Sequence, residues 1–268
     1  MLRGLEQNVG VAELTRESTK PQISAMIAYQ KTEQKSRRVF LTLRRLTYIL
    51  VGMLKVRKSP KRRVGRLRNS ERTRERLLQA AFREVYRTGF QSAGVDTILA
   101  VAGVTKGALY YHFDSKEALG YAIVDEVIAP NLRGKWLRPL QMGKDPINTL
   151  IGIVQSESVR SEDVRGGCPL NNLAQEMSPL DEGFRKRLAM VFQAWREGVA
   201  TALKQGQVGG IVRRDVDPDE AAGFLVAMVE GYVSLAKNAQ DSEVMKAGIR
   251  SIVAWLRSLR PPGNRGRG

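Results

Sequence analysis

Val95-Asp-Thr-Ile-Leu-Ala-Val-Ala-Gly103-Val-Thr-Lys-Gly-Ala-Leu-Tyr-Tyr-His-Phe113 decides the fold. Ile98, Leu99 and Ala102 recur at helical spacing, which predicts a short helix with one apolar face. Gly103 stands where the chain must bend sharply, and glycine tolerates the left-handed backbone that ends a helix. Val104 follows as an apolar plug, and Thr105 is placed to cap a second helix with its hydroxyl. On that helix Leu109 and Phe113 lie four apart and face inward, leaving Lys106, Gly107, Ala108, Tyr110, Tyr111 and His112 for the other faces. Small residues beside polar tips suit close approach to a nucleic-acid groove better than they suit a solvated face. Two short helices joined in this way are a helix-turn-helix, with the second helix lying in a major groove.

The flanks support that reading. Leu78, Ala81, Phe82, Val85 and Tyr86 form an apolar stripe on a helix over about 70–88, capped by Asn69 or Ser70 and ended by Gly89. Phe90 and Val95 should join its core with Leu109 and Phe113. Downstream, Asp114 and Glu117 have capping-box spacing and open a long helix over about 115–137, kinked at Pro130 and Gly134. Lys116 and the start of this helix should meet a phosphate beside the reading helix. The long helix is then the one continuous connection between the head and the rest of the chain.

Residues from about 72 to 125 resemble the N-terminal domain of TetR/AcrR-family transcriptional repressors. The resemblance is carried by Thr73-Arg-Glu-Arg-Leu-Leu-Gln-Ala-Ala81, Gly89-Phe90, Asp96-Thr-Ile-Leu99, Ala102-Gly-Val-Thr-Lys-Gly107, Leu109-Tyr-Tyr-His-Phe113 and Ser115-Lys-Glu-Ala-Leu119. One departure is Ala93-Gly94, where the family usually places Ser or Thr before the first short helix. Glycine caps nearly as well, so a side-chain phosphate contact is lost there and the fold is not. The resemblance implies an all-α chain: an N-terminal three-helix bundle with the helix-turn-helix, then a larger all-helical ligand-binding and dimerisation domain. The boundaries expected are a basic extension without fixed structure over 1–68, the DNA-binding domain over 69–120, the helical domain over 121–260 and a tail over 261–268.

Bulk properties agree. The 268 residues can hold two domains, and 43% hydrophobic content suffices for a core. The net charge of +17 is concentrated at the ends: residues 1–69 hold 17 Lys/Arg against 4 Asp/Glu, and the last nine residues add three arginines. Residues 55–68 read either as an arm that releases counterions from phosphates or as a solvated tail. The apolar run Leu46–Leu54 is too short to span a bilayer, and a third reading starts the chain at Met53. A single cysteine fits a cytoplasmic location, and no membrane association is expected.

Residues 145–259 read as helices throughout. Asp145-Pro146 and Asp217-Pro218 each mark a helix start, as does Ser178-Pro179; Ser161–Gly167 reads as a loop, and Arg260–Gly268 as a tail with nothing to bury. Phe224, Leu225, Val226, Met228, Val229, Tyr232, Val233 and Leu235 occupy more than one helix face. Such a helix must be covered on all sides, so a homodimer through residues about 217–259 is favoured over burial within one chain.

The resemblance also implies a small-molecule effector bound among these helices. Candidates to face it are Trp136, Phe184, Met190, Phe192, Trp195 and Met228, each of which is alternatively plain core. Gly167-Cys168-Pro-Leu with Asn171 resembles a branch of the family in which a Gly-Cys-Leu-type stretch opens a helix. A thiol there is expected to have a lowered pKa and to suit an electrophile or redox sensor; an inert buried thiol is the competing and better supported reading.

Enzyme chemistry is not expected. The one histidine, His112, sits on the reading helix, and the chain has no metal-ligand spacing, P-loop or dinucleotide fingerprint, so no metal or cofactor is implied. The expected function is sequence-specific transcriptional regulation, as a repressor released by a small-molecule or electrophile effector; the alternative is a ligand-independent architectural DNA-binding protein. Double-stranded DNA with a palindromic operator is the expected partner. Lys106, Gly107 and Tyr110 should lie nearest the bases, and Tyr111, His112 and Lys116 nearest phosphates, with Thr97, Thr105 and Ala108 completing the DNA-facing set.

Overall fold

Helix α1 (Pro60–Thr88) starts well before the predicted cap. Proline suits a first helical position, and the Lys and Arg residues after it are good helix formers, so the basic stretch from residue 60 continues the helix where an unstructured arm was expected. The computed structural model describes residues 60–157 and 160–263; the expectations for residues 1–59 and 264–268, including the Leu46–Leu54 run and a start at Met53, lie outside them. Every regular element among the described residues is helical.

Leu77, Leu78, Ala81 and Val85 bury one side of α1, and Gly89 ends it at φ 85°. Helix α2 (Val95–Ala102) buries Ile98, Leu99 and Ala102. Gly94 takes its N-cap position without a side-chain bond, and Gly103 closes it at φ 61°, ψ 46°. Thr105 then caps α3 (Lys106–His112), its Oγ1 accepting from the Ala108 N–H at 3.3 Å.

The long helix, α4 (116–142), departs from expectation in two ways. Its cap is Ser115, whose Oγ accepts from the Ala118 N–H at 3.1 Å, so the capping residue lies one position after Asp114. It also stays continuous: helical segments at Lys116–Ile123, Ala129–Leu132 and Arg138–Met142 alternate with wider π turns at Val124–Ile128 and Arg133–Leu137. Pro130 and Pro139 each lie two residues beyond a wide turn. Neither has an N–H to donate, and widening relieves the clash of each ring with the preceding turn. Gly134 falls inside the second wide turn, with open space around its α-carbon.

Beyond it lie α5 (Pro146–Gln155), α6 (Ser161–Gly166), α7 (Pro169–Met177), α8 (Glu182–Val208), α9 (Pro218–Ala239) and α10 (Ser242–Ser258). Asp145, Asp217 and Asp241 cap α5, α9 and α10 with their side chains. The stretch expected to be a loop is α6, which buries Val164. The predicted Ser178-Pro179 start is instead a turn, and Asp181 caps α8 by accepting from the Phe184 N–H at 2.8 Å. Asp181 also accepts from the Tyr121 hydroxyl at 2.9 Å, which ties the cap to α4. Arg260 is part of the fold rather than the tail: it pairs with Asp145 at 2.7 Å and also donates to Asn148.

The three-helix head and the helical body share one apolar core that runs from Leu77 to Leu259. Phe184 is the joint. It is fully buried, with the Phe90 ring 4.7 Å away and the Tyr121 ring 5.0 Å away. This placement removes Phe184 from the ligand-facing candidates. Gly120 makes the joint possible, since a Cβ there would sit 2.5 Å from ring carbons of both Phe90 and Phe184. The bidentate Arg74–Glu126 ion pair and the Arg187–Asp125 pair (3.0 Å) tie α4 to α1 and to α8.

Candidate functional site

Helix α3 turns Leu109 and, just past its end, Phe113 into the core and leaves the rest of its surface outward. Thr97, Thr105, Lys106, Gly107, Tyr110 and Tyr111 are exposed, and Ala108 and His112 are half-buried. The adjacent phenols of Tyr110 and Tyr111 are 47% and 77% exposed, which leaves both available to a partner. Gly107 is informative in the same way. An added Cβ would meet no protein atom closer than 4.0 Å, so packing does not demand glycine, although glycine costs a helix about 1 kcal/mol relative to alanine. A close approach by a partner's surface explains it. Burial, and then the Arg74 charge, hold the His112 pKa below its ordinary value. Lys116 is partly engaged: its ammonium donates to the Gln91 carbonyl at 3.1 Å and lies 5.0 Å over the Phe90 ring.

A second route into the head, besides α4, was not read from the sequence. Glu176, near the end of α7, accepts from the backbone N–H groups of Phe90 and Gln91, both at 2.8 Å. Just before α7, the Gly167 carbonyl accepts from the Tyr86 hydroxyl of α1 at 2.8 Å. Helix α7 is therefore fastened to the head from both ends.

The start of α7 also forms part of the wall of a cavity of about 420 Å³. Trp136 of α4 and Trp195 of α8 line it, with ring centroids 4.7 Å apart. Phe192 packs against the core away from the cavity, Met190 is 60% exposed, and Met228 also lies outside it. Cys168 does line the cavity, but burial, and then the Glu230 carboxyl, push its thiol up. The N–H groups of Leu170 and Asn171 at the start of α7 pull the other way and are outweighed. The shift runs opposite to the lowered pKa expected for a thiol at a helix start and accords with the inert-thiol reading.

Glu230 was missed. It is 8% exposed and lines the cavity; its carboxyl interacts with the Cys168 thiol, while its Oε2 atom has no hydrogen-bond partner. Burial raises its carboxyl to about 7. The sequence does mark it: Glu230 is the single charge within Phe224–Leu235, an otherwise apolar stretch. Tyr86 and Glu176 carry no comparable mark, because their partners lie far away in the chain. A larger groove of about 850 Å³ lies beside α7, its wall shared between polar residues such as Asn171, Gln175 and Lys237 and apolar ones such as Phe82 and Leu173. Among the described residues, no cluster of His, Cys, Asp and Glu could hold a metal ion, and no helix is long and apolar enough to cross a membrane.

Two family models match this chain. Residues 77–123 match bacterial regulatory proteins of the tetR family, and residues 149–252 match the tetracyclin repressor-like C-terminal domain. The transcriptional regulator AcuR of Cereibacter sphaeroides is 30% identical over 163 residues, covering 60% of this chain and 74% of that protein. The HTH-type transcriptional repressor DhaR of Mycobacterium sp. is 28% identical over 177 residues, covering 63% and 85%. Among solved structures, a TetR transcriptional regulator from Chloroflexus aurantiacus superposes with a TM-score of 0.63 at 28% identity, over 70% of this chain and 96% of that one. With the reading head and the helical body both matched, the chain belongs to the TetR family of DNA-binding transcriptional regulators.

Proposed function

We propose that this protein is a homodimeric repressor that reads a palindromic operator through α3 and lets go when a small molecule fills the cavity of the helical body. The single observation that carries the proposal is the position of α7. One end helps form the cavity wall through Cys168, and the other holds the Phe90–Gln91 backbone through Glu176. A ligand that displaces α7 or the Trp136 turn of α4 therefore moves the reading head. The raised thiol pKa favours a reversibly bound effector over a covalent one.

Dimerisation rests on α9 and α10. Phe224 and Leu235 are exposed, and with half-buried Met228 they form a stripe at helical spacing; Trp255 of α10 meets Phe224 edge-on at 5.1 Å. A second copy covering this stripe would place two α3 helices on successive major grooves. Lys106, Gly107 and Tyr110 lie nearest the bases in this arrangement, with Thr97, Thr105, Ala108, Tyr111, His112 and Lys116 around them toward the phosphates.

Selection of bound duplexes from a random pool tests the reading. The expected product is an inverted repeat with a fixed half-site spacing, bound by a dimer in light scattering. Unselective binding by a monomer would favour the ligand-independent architectural alternative.

A further inference from the structure

Beyond the presence of an effector, the cavity carries information on its chemistry. A buried carboxyl oxygen without a partner costs free energy that natural structures rarely leave unrecovered. Glu230 Oε2 is such an atom, and the Trp195 Nε1–H is buried without an acceptor in the same lining. The ionisable groups of that lining are Tyr86 from α1, Lys135 from α4, Glu157 after α5, Asp163 from α6, Cys168 before α7 and Glu230 from α9. Lys135 is already paired with Glu157 at 2.7 Å. Asp163 is likewise paired, with Arg160 at 2.8 Å, so Glu230 is the acidic group left to face a ligand, and Lys135, the cation of the lining, is already committed. Trp136 and Trp195 both line the same space, and aromatic rings attract cations.

We propose that the cavity takes a small organic cation, a protonated amine on an apolar body, with Glu230 as its counter-charge and the Trp136 and Trp195 rings as its walls. Leu132, Val233 and Met245 supply the apolar surface for the body. The unpartnered indole N–H of Trp195 would favour a ligand that also carries a hydroxyl or ether oxygen. A volume of 420 Å³ falls in the range of small-molecule sites, about 300–1,000 Å³. The proposal rests on the effector reading above and assigns the ligand's charge.

The test uses three probes of similar shape and different charge: 2-phenylethylammonium, neutral 2-phenylethanol and anionic 3-phenylpropanoate. Each is titrated into the full chain with tryptophan fluorescence as the readout, because two of the three tryptophans line the cavity. The ammonium ion should bind about tenfold or more tighter than the alcohol, and the anion more weakly than either. Glu230→Gln should bring the ammonium ion within about threefold of the alcohol, whereas Glu230→Asp, which keeps the charge, should retain the preference. Thermal melts of both variants report that they are folded. Equal or tighter binding of the alcohol or the anion by the wild type, absent ammonium binding, or an undiminished ammonium preference in folded Glu230→Gln would overturn the assignment. The effector reading is scored separately by DNA release. Glu230-dependent binding that leaves DNA bound upholds the charge assignment and defeats effector control; release by the alcohol or the anion does the reverse.

Discussion

The reading head and the cavity are built by opposite means. The turn, cap and anchors of α2 and α3 lie within about twenty residues: Gly103 turns the chain, Thr105 caps, and Leu109 and Phe113 anchor. The cavity draws Tyr86, Trp136, Cys168, Trp195 and Glu230 from separate helices, and no short segment of the chain implies the others. A local device keeps its geometry when the rest of the chain shifts slightly. A site assembled from distant helices is defined by how those helices pack, so filling it is felt wherever they touch. Here they touch the head at Phe184, Glu176 and Tyr86.

The largest expected effect comes from breaking the joint between the two regions. Gly120→Val would force a side chain into Phe90 and Phe184, and should cost about 3 kcal/mol of stability in a denaturant melt. A melt like that of the wild type would mean that the rings move aside freely and that the head is loosely attached.

Glu230 offers a test from the cavity side. Its folded pKa of about 7 lies above the ordinary carboxyl value of 4.5. Between those values the folded chain holds a proton that the unfolded chain has released, so stability should fall as pH rises through this window and level off above it. The loss should be about 3 kcal/mol, and Glu230→Gln should remove that part of the slope. Identical pH profiles for the two proteins would show that the carboxyl is better solvated than its burial implies.

On the head, Tyr110→Ala should weaken specific operator binding by about 1–3 kcal/mol and leave the melt unchanged. Undiminished affinity in the folded variant would count against groove insertion. Glu176→Ala removes both acceptors from the Phe90 and Gln91 amides and should cost about 1–2 kcal/mol of stability, with faster hydrogen exchange confined to those amides and their neighbours. The smallest effect belongs to Cys168→Ser. With the wild-type thiol held protonated, a quinone or aldehyde should release neither protein from DNA. Release of the wild type alone would restore the sensor reading.

These contrasts also mark where sequence is legible. The turn at Gly103, the Thr105 cap and the Asp-Pro starts of α5 and α9 depend on neighbours within a few residues, and each lies where the sequence placed it. The start of α8 shifted from Ser178-Pro179 to Asp181 because a tertiary partner, Tyr121, competes for the choice of cap. Prolines 130 and 139 were absorbed by the wide turns that precede them, so α4 stays continuous. Trp136 and Trp195 were legible as candidates by residue type alone, and Phe184, identical by that criterion, turned out to be the joint. Residue type shows what a side chain is able to do, and packing decides which one faces a cavity.

Coupling between cavity and head is best measured with one duplex, taken from the selection, and one probe, 2-phenylethylammonium. Fluorescence anisotropy gives the duplex affinity without the probe and at saturation. Coupling through α7 should weaken duplex binding in the wild type by about 5- to 150-fold, with most of that difference lost in Glu176→Ala. An affinity that stays the same while the probe demonstrably occupies the cavity would contradict the coupling.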